Sequence, residues 1–235
     1  MDSPSQSPHV ASAATAAHKR RSKQKGPGRP GGASVVREEI LDAAEGQFAN
    51  LGYAGTTLRE VANQAKVTQA LISYYFGSKY GLYEAVFLRR GQVISQQRMD
   101  NLDALGKGGK PRVRDIVRAF LLPTLQLRAT PQGRSFLRLQ ARLHTEPPEI
   151  SYKLRTDAYG GSTRRYVEVL REALPKLGEL DAYWRVTLMI GTYLYAFSDT
   201  HRMEEMTPKG LYDPDDTDAL IEQVTRFVVG GFEAR

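Results

Sequence analysis

Between Thr57 and Lys79 the chain carries side chains that can exchange hydrogen bonds with a flat, polar surface, at helical spacing. Gln69 offers a donor and an acceptor together, the pairing that an adenine edge requires; Ala70 is small enough for close approach and can touch a thymine methyl. Ser73 and Tyr74 fall on the same face at about 100° per residue. The hydroxyls of Tyr74 and Tyr75 can reach phosphate oxygens. Thr57 and Thr68 each precede a short helix, where a hydroxyl and free backbone amides attract an anion. Lys79, in the first turn of the helix that follows, adds a positive charge.

Short helices must hold such a face. Thr57-Leu58-Arg59-Glu60 reads as a capping box, and Leu58, Val61, Ala62 and Ala65 give the helix behind it one apolar side. Lys66-Val67 break that helix. Thr68 caps a third, from Gln69 to about Phe76, in which Ile72 and Phe76 turn inward with Val67 behind them. Gly77 ends it, and Ser78 caps a fourth helix from Lys79 to about Gln97. Two short helices joined by a turn at 65–68 form a helix-turn-helix, and the second suits a major groove about 12 Å wide. An ordinary helical hairpin has the same apolar pattern; the polar outer face of residues 69–74 is what favours DNA.

Ahead of this unit Ile40, Leu41, Ala44, Phe48 and Leu51 give an amphipathic first helix, with Ser34 as cap and Gly52 as terminator. After a flexible break at 106–111, helical patterns cover 112–129, 131–145, 147–174, 180–205 and 214–234. Asp213-Pro214-Asp215-Asp216 reads as the start of the last. No strand alternation or internal repeat is visible. The fold class is all-α: an N-terminal three-helix helix-turn-helix domain (34–80) and a helical C-terminal domain (81–235), about nine helices in all.

The net charge of +7 is unevenly placed. Residues 1–37 hold seven basic groups against Asp2, a local +6, while the other 198 residues are nearly balanced. Residues 1–33, rich in Ser, Pro, Ala and Gly, read as a disordered basic arm that suits a polyanion. Within it Gly28-Arg29-Pro30 resembles the core of an AT-hook, in which Arg29 enters a narrow minor groove; a solvated linker attracting phosphates nonspecifically is the other reading.

Other chemistries find little support. The chain has no cysteine, and His9, His18, His144 and His201 lack ligand spacing. No nucleophile elbow, P-loop or zinc pattern occurs, so neither an enzyme nor a bound cofactor or metal is expected. Residues 1–18 lack a signal-peptide apolar run, and the stretch 186–197 is shorter than the ~20 residues a bilayer needs. A cytoplasmic protein without a membrane partner follows.

The run Ile40-Leu41-Asp42-Ala43-Ala44, Phe48, Gly52-Tyr53, Thr56-Thr57-Leu58-Arg59-Glu60-Val61-Ala62, Val67-Thr68 and Tyr74-Tyr75-Phe76-Gly77-Ser78-Lys79 resembles the N-terminal signature of the TetR family of bacterial regulators. The resemblance is close over residues 36–88. It implies a homodimer on a two-fold-symmetric double-stranded DNA operator. It also implies a C-terminal pocket whose occupation by a small molecule releases a repressor from DNA. A regulator controlled by a protein partner or by abundance is the alternative. Two residues depart from the family pattern. Lys66 stands where glycine is usual and must turn left-handed or alter the turn; Ser73 stands where an aromatic residue is frequent, leaving more to Tyr74 and Tyr75.

Candidate pocket residues are Leu121, Leu125, Phe136, Gln140, His144, Tyr159, Tyr166, Met189 and Tyr193, an apolar set with a few polar handles; plain core packing is the competing reading of each. An effector that is apolar or aromatic with a few polar groups would fit. Trp184, Leu188, Gly191 and Tyr195, with Leu220, Val224, Phe227, Val228 and Phe232, are the expected dimer faces, or else pack within one subunit.

Overall fold

Each apolar stripe of the sequence becomes a helix in the computed structural model, which describes residues 30–234 and the side chains from Ser34 onward. The elements are α1 (Pro30–Gly55), α2 (Leu58–Ala65), α3 (Gln69–Phe76), α4 (Lys79–Gly106), α5 (Val113–Leu125), a 3-10 turn at Gln126–Ala129, α6 (Pro131–Leu143), α7 (Pro148–Ala173), α8 (Glu179–Phe197), α9 (Arg202–Met206) and α10 (Thr217–Glu233). Among the described residues there is no strand. Nor, among them, is any helix long and apolar enough to cross a membrane, and no cluster of His, Asp and Glu could hold a metal ion.

Four boundaries differ from the sequence reading. Helix α1 starts at Pro30, so Ser34 lies inside it rather than capping it. Helix α4 runs on past Gln97 to Gly106. The 180–205 pattern splits after Phe197, where Asp199 and His201 take left-handed φ values of 52° and 56°. The last helix begins at Thr217 behind an Asp216 cap. The Asp213 carboxylate accepts the Asp215 amide at 2.9 Å instead, and Arg128 Nη2 donates to the Pro214 carbonyl at 2.8 Å, which holds that segment out of the helix.

Two apolar cores form. One gathers Ile40, Leu41, Ala44 and Phe48 of α1, Val61 and Ala62 of α2, Ile72 of α3, and Leu82, Val86, Phe87 and Ile94 of α4. It does not stop at residue 80: Phe136, Leu139 and Leu143 of α6 and Leu154 and Ala158 of α7 complete it. The other joins α5, the second half of α7, α8 and α10, around Phe120, Tyr166, Val186, Tyr193, Phe197 and Phe232. Helices α4 and α6 serve both, with Leu102 and Leu137 in the second core.

Helix α5 carries a proline near its end. Pro123 has no N–H for the Ala119 carbonyl. Asn101 Nδ2 on α4 donates to that oxygen at 3.2 Å, and the helix gives way to the 3-10 turn three residues after Pro123.

Candidate nucleic-acid interface

The helix-turn-helix is built by local capping. Thr57 leads into α2 with extended backbone (φ −118°, ψ 149°). Its Oγ1 accepts the Glu60 amide at 3.2 Å and donates to Glu60 Oε2 at 2.7 Å, while Glu60 Oε2 also accepts the Thr57 amide at 3.1 Å. The Thr57 hydroxyl and N–H expected to face a phosphate are therefore consumed inside the box. The backbone amides of Leu58 and Arg59 at the helix N-terminus are what a phosphate would meet.

Lys66 closes α2 in the left-handed region (φ 56°, ψ 39°). The departure from glycine thus leaves the turn intact and strains one lysine. The Val67 amide donates back to the Ala62 carbonyl at 3.0 Å. Thr68 caps α3, accepting the Leu71 amide at 3.3 Å. Ile72 is fully buried, and Val67 and Phe76 pack on the same core.

The opposite face of α3 is open. Gln69, Ala70 and Ser73 are exposed and Tyr74 is 80% exposed. Tyr75 is half-buried against the core, with its ring 5.4 Å from Tyr74 and 6.1 Å from Phe76, so the two tyrosines are not equivalent. At Gly77 the chain turns with φ 73°, and Ser78 Oγ accepts the Gly81 amide at 3.0 Å to start α4. A Cβ at Gly81 would lie 2.1 Å from the Phe76 carbonyl oxygen, a close approach the sequence reading missed. Lys79 Nζ donates to the Ala54 carbonyl at 3.3 Å and sits 4.7 Å from the Tyr53 ring centroid, so its charge is placed beside the α1–α2 junction. Arg29 lies outside the described residues.

The C-terminal candidates divide between the cores. Leu121, Leu125, Tyr166, Met189 and Tyr193 line the second; Phe136 belongs to the first, and Tyr159 packs against it. Gln140 is buried, with Nε2 donating to Tyr159 Oη at 2.8 Å. His144 does not join them: it is exposed at the C-cap of α6. Burial holds the Tyr159 and Tyr166 phenols well above the ordinary tyrosine range.

At the seam between the cores stands Arg98, which sequence reasoning passed over. It is 1% exposed. Its Nε donates to the Phe120 carbonyl and its Nη2 to Thr124 Oγ1, each at 3.0 Å, while Tyr166 Oη donates to the Arg98 carbonyl at 2.9 Å. Its guanidinium carbon lies 3.6 Å from the Phe120 ring centroid, 5.5 Å from Tyr193 and 5.6 Å from Tyr159. A usable signal existed: Leu82, Val86, Ile94, Arg98 and Leu102 continue one buried stripe along α4.

Polar contacts tie this body to the helix-turn-helix. Arg142 Nη2 donates to the Asn50 carbonyl at 3.1 Å, and the Tyr53 amide donates to Glu146 Oε1 at 3.0 Å, on either side of Gly52 (φ 74°), where α1 breaks. Buried Glu45 of α1 accepts from Arg89 Nη2 at 3.0 Å and Arg90 Nε at 2.7 Å on α4. Helices α4 and α6 are thus both hydrogen-bonded to α1.

Comparison with known proteins agrees with this geometry. Residues 40–86 match the family described as bacterial regulatory proteins, tetR family, and residues 118–231 match the tetracyclin repressor-like C-terminal domain. The HTH-type transcriptional regulator BetI of Burkholderia ambifaria is 32% identical over 85 residues, 36% of this chain and 44% of that protein. BetI of Paraburkholderia xenovorans is 41% identical over 51 residues, 22% of this chain and 26% of that protein. The similarity thus spans less than half the length of these curated relatives. A putative tetR family transcription regulator from a Shewanella species superposes with TM-score 0.58 at 18% identity, over 82% of this chain and 95% of that one. A TetR-like regulator from a Rhodococcus species gives 0.56 at 18%, over 86% and 98%. With residues 40–86 and 118–231 both matched and the fold shared over 82% of the chain, the protein belongs to the TetR family of bacterial regulatory proteins.

Proposed function

We propose that the protein is a transcriptional regulator that binds a two-fold-symmetric DNA operator as a homodimer and is released when a small molecule occupies its C-terminal domain. The observation that carries the DNA reading is the outer face of α3: Gln69, Ala70, Ser73 and Tyr74 stand clear of the body while Ile72 anchors the helix from behind. A helix held this way can enter a major groove without moving its own core.

The dimer reading rests on exposed apolar groups. Leu180, Trp184, Leu188 and Tyr195 form an exposed stripe on α8, and Leu188 lines one groove with Phe227 of α10, which is 71% exposed. Gly191, Gly230 and Gly231 beside them have nothing within 4 Å of an added Cβ, which leaves room for a second copy's helices. Val224, Val228 and Phe232, expected at this face, are instead buried in the subunit's own core. A patch of this make-up is unusual on a monomer.

The test is a footprint of the full-length protein on the DNA flanking its own coding sequence. A protected segment with two half-sites about one helical turn apart supports the proposal. Uniform, salt-sensitive coating without a protected segment contradicts it.

A further inference from the structure

We propose that Arg98 is the anion anchor of a buried site between the two cores, and that the site takes a small organic monocarboxylate with an aromatic body. The inference rests on the effector reading above and names the effector's chemical class.

An arginine keeps its charge at any pH the protein meets, so burying one demands compensation. Elsewhere this fold supplies it with carboxylates. Arg128, equally buried, holds Asp199 Oδ1 at 2.6 Å, and Arg89 meets Glu38, Asp42 and Glu45 within 3.1 Å. Arg98 has no acidic partner among the described residues. Its two hydrogen bonds go to a neutral carbonyl and a neutral hydroxyl, and its guanidinium carbon lies 3.6 Å from the Phe120 ring centroid and within 5.6 Å of those of Tyr159 and Tyr193. The proline in α5 does not explain it, because the carbonyl that Pro123 leaves open is already taken by Asn101.

A second group nearby is half satisfied. Gln140 Nε2 is bonded to Tyr159 Oη, but Gln140 Oε1 is buried without a partner. The two are linked through Tyr159, which faces Arg98 with its ring and Gln140 with its hydroxyl. A carboxylate presents two oxygens to a guanidinium fork, and an aromatic body fits walls of Phe and Tyr. A hydroxyl or N–H on that body would meet Gln140 Oε1. Because the rings belong to both cores, such a molecule would bear on α4, α5, α7 and α8 together.

The test is a thermal-shift and calorimetric titration of the full-length protein with benzoate, phenylacetate and 4-hydroxyphenylacetate. Benzamide and phenylacetamide serve as neutral isosteres. Carboxylates should raise the melting temperature with increasing concentration, and the amides should bind at least tenfold more weakly. Arg98→Met, which removes the charge at similar length, should fold and lose the carboxylate response; Arg98→Lys should retain part of it. Equal binding of acids and amides overturns the proposal, as does a full carboxylate response in Arg98→Met. Inert probes combined with a melting temperature several degrees lower in Arg98→Met would assign Arg98 a purely structural role, which also overturns it. A neutral compound that dissociates wild type and Arg98→Met from DNA alike would keep the effector reading and remove the anion class. A mixed library that shifts no melting temperature and releases no DNA would remove both.

Discussion

Lys66 closes the turn of the helix-turn-helix in a conformation that costs an L-residue about 1–2 kcal/mol and costs glycine almost nothing. Its side chain is exposed, with no hydrogen bond or ion pair among the described residues, so replacing it removes strain and leaves packing alone. Glycine returns about 0.4–1 kcal/mol of that gain through the freedom it adds to the unfolded chain. Lys66→Gly should therefore stabilise the protein by about 0.8 kcal/mol at mid-range. For a protein of this size that is a rise of about 1–4 °C in melting temperature. Lys66→Ala isolates the cause, because it removes the charge and keeps the Cβ; it should leave the melting temperature unchanged or slightly lower. The assay is calorimetry of the three proteins at one concentration, since the proposed dimer would tie apparent stability to concentration. An equal rise in both variants would trace the effect to charge and refute the strain argument, and a fall in Lys66→Gly would refute it outright.

Other substitutions separate the roles assigned to the interface. Gln69→Ala should relax base preference at one operator position, at about 1–3 kcal/mol for a bidentate contact, while Tyr74→Phe should weaken all sequences alike; binding-site selection with each variant distinguishes the two patterns. Phe227→Glu should convert the dimer to monomer in light scattering without lowering helix content, because this side chain is exposed in the single subunit. Deleting residues 1–29, which hold six of the chain's basic groups, should flatten the slope of log affinity against log salt by about 0.9 for each phosphate that the arm neutralises. An unchanged slope would make the arm a bystander.

The helix-turn-helix was legible because its determinants are local. Thr57 and Glu60 lie three residues apart, Thr68 caps its own helix, and the inward and outward faces of α3 follow from one helical period. The left-handed Lys66 could be anticipated because a turn of that shape admits few conformations. What failed was long-range. His144 shares a projected face with Gln140, but it caps the exposed end of α6 while Gln140 is buried. Asp213 and Pro214 carry every local mark of a helix start, yet Arg128, far away in sequence, captures the Pro214 carbonyl. Val224 and Val228 could serve a subunit core or a dimer face equally well, since apolar periodicity does not say what covers it. Arg98 was hidden by ending α4 at Gln97 and by the expectation that arginine is a surface residue; its meaning comes only from α5, α7 and α8 closing around it.

The central claim is that this protein reads DNA sequence as a symmetric dimer through α3. Selection from a random duplex library by the full-length protein tests it most directly. The account predicts an enriched palindrome with half-sites about one helical turn apart, whose preference changes at one position per half-site in Gln69→Ala. Absence of any enriched sequence would contradict the claim, and so would a single asymmetric site whose base preferences are indifferent to substitutions on α3.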